Sequence, residues 1–337
     1  MQKHKRIFSL TLFGGLGGLV GFVLSEVAIS DDIYASPAEM RHSTGIWFLL
    51  AVVGIGSGIV GGKSVADKSV PPTEIIVPTV AALLVGGYLS GYVAQFVYEQ
   101  MLSETSSPSA PQLPRIVGWF IAGGLAGLAV TIGLKSQKRI QNGVAGGALG
   151  GLIGGTLFDP IASAVDNAVG SRLISLVLIA TLMAALIALI DNARTHLWIE
   201  VVSGEFKGRN IPVIDDRARV GSARTLEVPL LGDRQIQEVH LTITRNPAPS
   251  FNCTSGHTVE HNGQSTPSGS ISDGDLLTVG STQLRLSFKA EPGSRPAPPA
   301  SSERRVASIP EGPRELRGAD ATPPPPRSRP RLPTKNN

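Results

Sequence analysis

The chain has 337 residues, enough for two domains, and its formal charge of +4 sums over three unlike regions. No basic stripe interleaved with aromatics accompanies that charge, so it gives no reason to expect a nucleic-acid partner. A single cysteine, Cys253, excludes an intramolecular disulfide framework. The six histidines and one cysteine show no metal-ligand spacing.

The first region, 1–191, is apolar and holds most of the 39 glycines. Met1-Gln-Lys-His-Lys-Arg leads into an apolar run from Ile7 that ends in Ser-Asp-Asp without a cleavage motif. It therefore reads as a first transmembrane helix, not a signal peptide. Six segments, 7–29, 45–62, 75–98, 116–134, 143–160 and 172–190, are long enough to cross a ~30 Å hydrocarbon core. Helices are expected because hydrocarbon cannot satisfy open backbone groups.

Loop charges predict the orientation. Lys3, Lys5 and Arg6, then Lys63 and Lys68, then Lys135, Lys138 and Arg139 mark one side. Asp31, Asp32, Glu39, Glu99, Glu104 and Asp166 mark the other, where Arg41, Arg115 and Arg172 stand singly. This places both termini in the cytosol, with the chain in the inner (plasma) membrane.

Small residues at spacing four let helices approach closely in lipid. Gly14/Gly18, Gly17/Gly21, Gly87/Gly91, Gly123/Gly127, Gly143/Gly147/Gly151 and Gly146/Gly150/Gly154 all carry this spacing. They are expected to pack within the chain, with self-association as the alternative use. An internal repeat overlies them. Gly17-Gly18, Gly86-Gly87 and Gly150-Gly151 match, and Trp47-Phe48 with Lys63-Ser64 matches Trp119-Phe120 with Lys135-Ser136. This reads as three helical hairpins of about 64–72 residues, the third diverged in its second helix, forming a bundle with pseudo-threefold symmetry. At one shared position in the odd spans lie Glu26, Gln95 and Asp159, which such a bundle would gather into a polar ring near the outer ends. No pair of polar residues can be matched across facing spans, which leaves an intramembrane enzyme without its chemistry. Pro160 reads as a helix stop, with Ile161–Gly170 a short interfacial helix or loop. Gly61-Gly62-Lys63-Ser64 lacks the earlier glycine of a phosphate-binding loop, since position 57 is serine.

The second region, 197–290, has strand-like runs at turn-bounded intervals: Leu197–Val202, Arg209–Ile214, Ala218–Val220, Glu238–Thr244, Leu276–Val279 and Gln283–Phe288. The spacing predicts an all-β sandwich. Its motifs are Ser203-Gly204-Glu-Phe-Lys-Gly208-Arg209, Arg219-Val220-Gly221, Gln237-Glu238-Val239-His240, Asn262-Gly263 and Ser272-Asp273-Gly274-Asp275-Leu276-Leu277-Thr278-Val279-Gly280. Together they resemble a forkhead-associated (FHA) domain over essentially its whole length. The resemblance implies a protein-interaction module that takes phosphothreonine peptides on loops at one end. It also implies fold roles for Gly221, His240, Asn262, Gly263, Gly274 and Asp275.

The loop positions depart from the family pattern. Ser222 stands for the motif arginine, Gln237 for the motif serine and Glu238 for the arginine after it. Ser255-Gly256-His257-Thr258-Val259 replaces the usual Ser-X-Asn-Gly-Thr loop. Glu238 would repel a phosphate dianion; Arg219 or Arg224 would have to substitute, and nothing in the sequence places either there. The expected function is therefore a multi-pass membrane adaptor that presents this module to a cytosolic protein without phosphothreonine dependence. The alternative is a transporter or channel regulated by the module. No catalytic residues and no cofactor are expected, and membrane lipid is the other expected partner. The third region, 291–337, rich in Pro and Arg, is expected to be disordered.

Overall fold

The computed structural model describes residues 2–29, 36–68, 71–103, 112–132, 136–165, 167–246 and 248–289. The expected disordered tail and the loop charges Asp31, Asp32, Glu104, Lys135 and Asp166 lie outside them. All described elements belong to one unit, Met1–Ala290.

Six helices come first: α1 (Gln2–Ala28), α2 (Pro37–Asp67), α3 (Thr73–Ser103), α4 (Gln112–Ile132), α5 (Gln137–Ala164) and α6 (Ala168–Arg194). All six are long and apolar enough to cross a membrane. Most overrun the apolar segments, because lipid-compatible composition ends before the hydrogen-bonded helix does. The helix stops at its caps instead. Ser36 caps α2 by accepting from the Glu39 N–H, with Pro37 in the first turn, and Ser136 and Asn167 cap α5 and α6.

One boundary differs in kind. Pro160 does not end α5, which runs one turn further to Ala164. A proline removes one N–H, and the turn beyond it still closes through the Val165 N–H onto the Ile161 carbonyl. Ile161–Ala164 accordingly belongs to α5 and Ala168–Gly170 to α6, with no separate interfacial helix among the described residues.

The helices form a closed ring in chain order, with α6 returning to α1. Gly17, Gly86 and Gly150 each face the next helix. A Cβ on them would lie 2.5 Å from the Gly54 carbonyl of α2, 2.6 Å from Ala129 Cβ of α4 and 2.9 Å from Met183 Cα of α6. Their neighbours Gly18, Gly87 and Gly151 face the preceding even helix in the ring. Added Cβ atoms there would lie 2.5 Å from Ala180 Cβ of α6, 2.9 Å from Leu49 Cα of α2, and on the Trp119 carbonyl of α4. The sequence repeat is thus a threefold repeat of contacts, and these stripes are occupied within one chain. Where α6 lacks glycine, Ala180 and Ala184 supply the small surface. An apolar cluster joins the even helices. Val52 and Ile55 of α2, Ala129 and Val130 of α4, and Met183 and Ile187 of α6 pack in a single buried cluster.

Eleven strands follow: β1 (Leu197–Val201), β2 (Asn210–Val213), β3 (Arg217–Gly221), β4 (Val228–Pro229), β5 (Leu241–Thr244), β6 (Ser250–Cys253), β7 (Val259–His261), β8 (Gln264–Thr266), β9 (Ser268–Ser270), β10 (Leu276–Val279) and β11 (Thr282–Phe288). They make a six-stranded sheet, β2-β1-β11-β10-β7-β8, and a five-stranded sheet, β4-β3-β5-β6-β9. Ile199, Leu284, Leu286 and Leu277 from the first meet Ala218, Val220, Leu241 and Phe251 from the second in one core. The expected strand Glu238–Thr244 begins only at Leu241, because Glu238 and Val239 belong to the preceding turn. The strands β6–β9 escape a pattern search because they are short and largely polar, and β4 because it is only two residues long.

The sandwich is tied to the bundle at the end where α1 begins and α6 ends. Ser136 Oγ donates to Asp215 Oδ2 at 2.8 Å, Lys138 Nζ to Asp216 at 2.9 Å, and Arg139 Nη2 to the Pro212 carbonyl at 3.3 Å. Lys289 Nζ reaches the Ala193 carbonyl at 3.0 Å. Asp215 and Asp216 form the turn between β2 and β3.

Candidate functional site

Strand register locates the loop positions. In the β3–β5 pair, Arg217 faces Thr244 and Val220 faces Leu241. The start of β3 follows the bundle-bound β2–β3 turn. The end of β3 and the start of β5 therefore lie at the opposite, bundle-distal end. Ser222 and Arg224 follow β3 there, Gln237, Glu238 and His240 precede β5, and His257 lies in the β6–β7 loop.

Backbone bonds join these loops. The Ser222 N–H donates to the Gln237 carbonyl at 2.8 Å and the Ala223 N–H to the Glu238 carbonyl at 3.2 Å. Gly221 is required by this closeness, since a Cβ would strike the Glu238 carbonyl oxygen. Beneath them sits His240, 4% exposed. Its Nδ1 accepts from the Gln237 N–H at 3.4 Å, its Nε2 lies 3.4 Å from the Thr258 carbonyl, and its ring packs 5.2 Å from that of His257. One neutral tautomer, with the proton on Nε2, serves both bonds. His240 is a tie under three loops, and Arg224, Gln237 and Glu238 form the exposed surface above it.

Arg219 is not available to a phosphate. Glu227 accepts from its Nε at 3.1 Å, its Nη2 at 2.9 Å and its backbone N–H at 2.9 Å. Burial alone would raise the Glu227 pKa, but these bonds outweigh it and hold the carboxyl below its usual range. Of the two substitute cations, only Arg224 is left, opposed by Glu238. Asp233, which no motif singled out, fastens the same end. It accepts from the Ser281 N–H at 2.6 Å and the Gln235 N–H at 2.8 Å, which lower its pKa. An aspartate opening a turn was its only sequence signal.

Asn262, Gly263, Gly274 and Asp275 gather elsewhere, at the other ends of β7 and β10. Asn262 (φ 50°) and Gly263 (φ 87°) make the tight β7–β8 turn. Asn262 Nδ2 donates to Asp275 Oδ1 at 2.9 Å and its Oδ1 accepts from the Leu276 N–H at 2.9 Å. Asp275 Oδ2 also takes the Ser272 N–H at 2.7 Å and lies 2.9 Å from His261 Nε2. Burial opposes ionisation of Asp275, but these donors prevail and lower its pKa.

At the far end of the bundle, the three polar positions lie on three different helices. Glu26 accepts from Arg172 Nε at 3.0 Å and Nη2 at 2.8 Å, and from the Trp47 indole at 3.2 Å. Asp159 is paired with Arg115. Gln95 carries no charge, and its amide donates to Glu99, one turn on, at 3.1 Å. Glu99 in turn pairs with Arg41 at 3.3 Å. Each arginine comes from the even helix that precedes the acid in the ring. Arg41, Arg115 and Arg172 are thus each paired with a carboxylate, and the third carboxylate of the set is Glu99.

Polar residues are also paired across facing helices near the sandwich. Arg6 Nε donates to Asp67 at 3.1 Å, and Asn142 Nδ2 to Asp191 at 2.5 Å. The expectation that no such pairs could be matched is overturned at both ends. Its failure is physical: partners such as Glu26 and Arg172 are 146 residues apart, and only closure of the ring joins them. Among the described residues, no group of three or more His, Cys, Asp or Glu is placed to hold a metal ion.

No family model matches the chain, and no curated protein matches it. Solved FHA domains resemble part of it. One, from a study of phosphothreonine-dependent FHA interactions, is 15% identical, covers 29% of this chain and 100% of its own, and has a TM-score of 0.26. Another, from Chlamydia trachomatis, is 17% identical over 28% of this chain and 100% of its own, with a TM-score of 0.26. EmbR of Mycobacterium tuberculosis, solved with a low-affinity phosphopeptide, is 13% identical over 81% of this chain and 72% of its own, again at 0.26. Likenesses at that score carry no argument, and the sandwich stands on its own strand order and register.

Proposed function

We propose that this protein is a non-catalytic, multi-pass membrane adaptor that holds an FHA-like module at the cytosolic face, both termini inside, for contact with a cytosolic protein. One observation carries the reading: the loops of Ser222, Gln237 and His257 lie at the end of the sandwich opposite the turn docked on the bundle. A partner can reach them without meeting the membrane. On this reading the binding is independent of phosphothreonine: Arg219 is held by Glu227, and the exposed Glu238 adds negative charge to these loops. Transport would need a continuous polar path through the bundle, and a buried cluster of Val, Ile, Ala and Met side chains from α2, α4 and α6 weighs against one.

The test uses the detergent-purified full chain against matched peptide libraries carrying threonine or phosphothreonine. Equal capture from both is expected, and selective capture of phosphothreonine would reverse this part of the reading. Orientation is checked by a cysteine at Ser255 in a Cys253→Ser chain. An impermeant maleimide should label it only after the membrane is opened.

A further inference from the structure

The three far-end interfaces of the bundle are not equal. In the first, Glu26 holds both Arg172 and the Trp47 indole. In the second, the matching position is Gln95, drawn away toward Glu99, and a space remains beside it. This is a cavity of about 180 Å³ between α2, α3 and α4, with Phe158 of α5 on one side.

The cavity has an aromatic wall and a set of idle donors. The Phe48 and Trp119 rings are 5.2 Å apart, and those of Trp119 and Phe158 are 6.2 Å apart. The Trp119 indole N–H and the hydroxyls of Thr44 and Tyr98 line it with no hydrogen-bond partner among the described residues. Arg115 adds the N–H groups left over from its pairing with Asp159, and its guanidinium lies 5.3 Å from the Phe158 ring centroid. No carboxylate is among the lining residues. Donors and aromatic faces lining one space suit a ligand with a flat apolar body and an anionic oxygen head. Size narrows the class, since a cavity of ~150 Å³ accommodates benzene.

We propose that this cavity binds a small aryl carboxylate, one aromatic ring on a short arm. The ring lies against Phe48, Trp119 and Phe158, and the carboxylate takes the spare donors of Arg115 with those of Trp119 and Tyr98. The site adds a ligand input at the far end of the bundle, apart from the loops of the sandwich.

The experiment is calorimetric titration of the full chain in detergent with phenylacetate, phenylacetamide and acetate. It compares the parent chain with Arg115→Gln and Gly118→Val. Gly118 lines the cavity, and its added Cβ would lie 3.4 Å from the Ala94 carbonyl oxygen, so valine adds bulk at the cavity wall. Saturable binding of phenylacetate is expected. It should weaken roughly tenfold or more for the neutral amide, for acetate and for each variant. No saturable binding up to about 10 mM would overturn the proposal. So would phenylacetate affinity unchanged in Gly118→Val, or equal affinity for acid and amide. Should Arg115→Gln fail to fold without its partner for Asp159, Gly118→Val and the ligand series still decide.

Discussion

Glycine does opposite work in the two halves of this molecule. In the bundle it is a helical residue whose missing side chain lets backbones touch, as where a Cβ on Gly127 would fall on the Gly143 carbonyl. In the sandwich, Gly204, Gly208, Gly232, Gly256, Gly263, Gly274 and Gly280 all have positive φ and serve turns, several with open space around them. The difference follows from solvent. The six helices are long and apolar enough to cross a membrane, and lipid would give them no hydrophobic reason to associate, only a gain from close contact and polar pairing. Water drives the sandwich to bury side chains, and most of its glycines are left to the corners, Gly221 excepted, where two loops touch.

The largest expected effect tests the bundle half of that contrast. Gly127→Ala forces a methyl group into a backbone contact between α4 and α5, which neither helix can relieve alone. Gly124→Ala, three residues earlier and also facing α5, meets only Ala148 Cβ at an ordinary 3.6 Å. Overpacking of the first kind costs about 1–3 kcal/mol or more. Gly127→Ala should lower the thermal midpoint of the detergent-purified chain and broaden its gel-filtration peak, and Gly124→Ala should do neither. Equal behaviour of the two would mean that the α4–α5 contact is not backbone on backbone.

A smaller effect is expected in the sandwich. Nothing lies within 4 Å of an added Cβ at Gly263, so Gly263→Ala costs only backbone strain at φ 87°. That amounts to about 1–2 kcal/mol. Gly263→Asn should recover part of it, since asparagine tolerates the left-handed region. A loss at Gly263→Ala as large as at Gly127→Ala, measured by the same midpoint, would dissolve the contrast.

The same contrast explains what could be read from sequence. Spans show themselves because lipid imposes a length and a composition on every residue of a segment, and the glycine stripes show because their spacing is local. Which neighbour each stripe faces is set by ring closure, and so are the pairs Glu26–Arg172 and Arg41–Glu99. No local pattern carries that information. In the sandwich, β1, β10 and β11 are legible from their apolar residues. β8 (Gln264–Thr266) and β9 (Ser268–Ser270) are strands only because β7 and β6 pair with them. The loop residues were found through their motifs. The capture of Arg219 by Glu227 was not, because it depends on β4 lying parallel beside β3.

The junction between the two halves should respond to acid, with the smallest effect and the sharpest signature. His196 sits between α6 and β1, its Nδ1 buried without a hydrogen-bond partner. Burial first, then the charges of Arg245 and Lys138, push its pKa down to about 4, against the opposing pull of Asp216 and Asp215. An unfolded histidine titrates near ~6.5. Between those values the unfolded chain binds the proton and the folded chain does not, so stability declines as pH falls from about 6.5 toward 4. Asp216, held below its usual range by the Lys138 hydrogen bond, loses its contribution only at lower pH, below the ordinary aspartate value. The windows therefore separate the groups. The midpoint of the full chain should fall as pH drops from about 6.5 to 4.5, and His196→Phe should flatten that part of the profile while leaving the steeper loss at lower pH. A variant profile that still declines across the upper window would assign the acid response to another group and leave His196 as spacing between the last turn of α6 and the first strand.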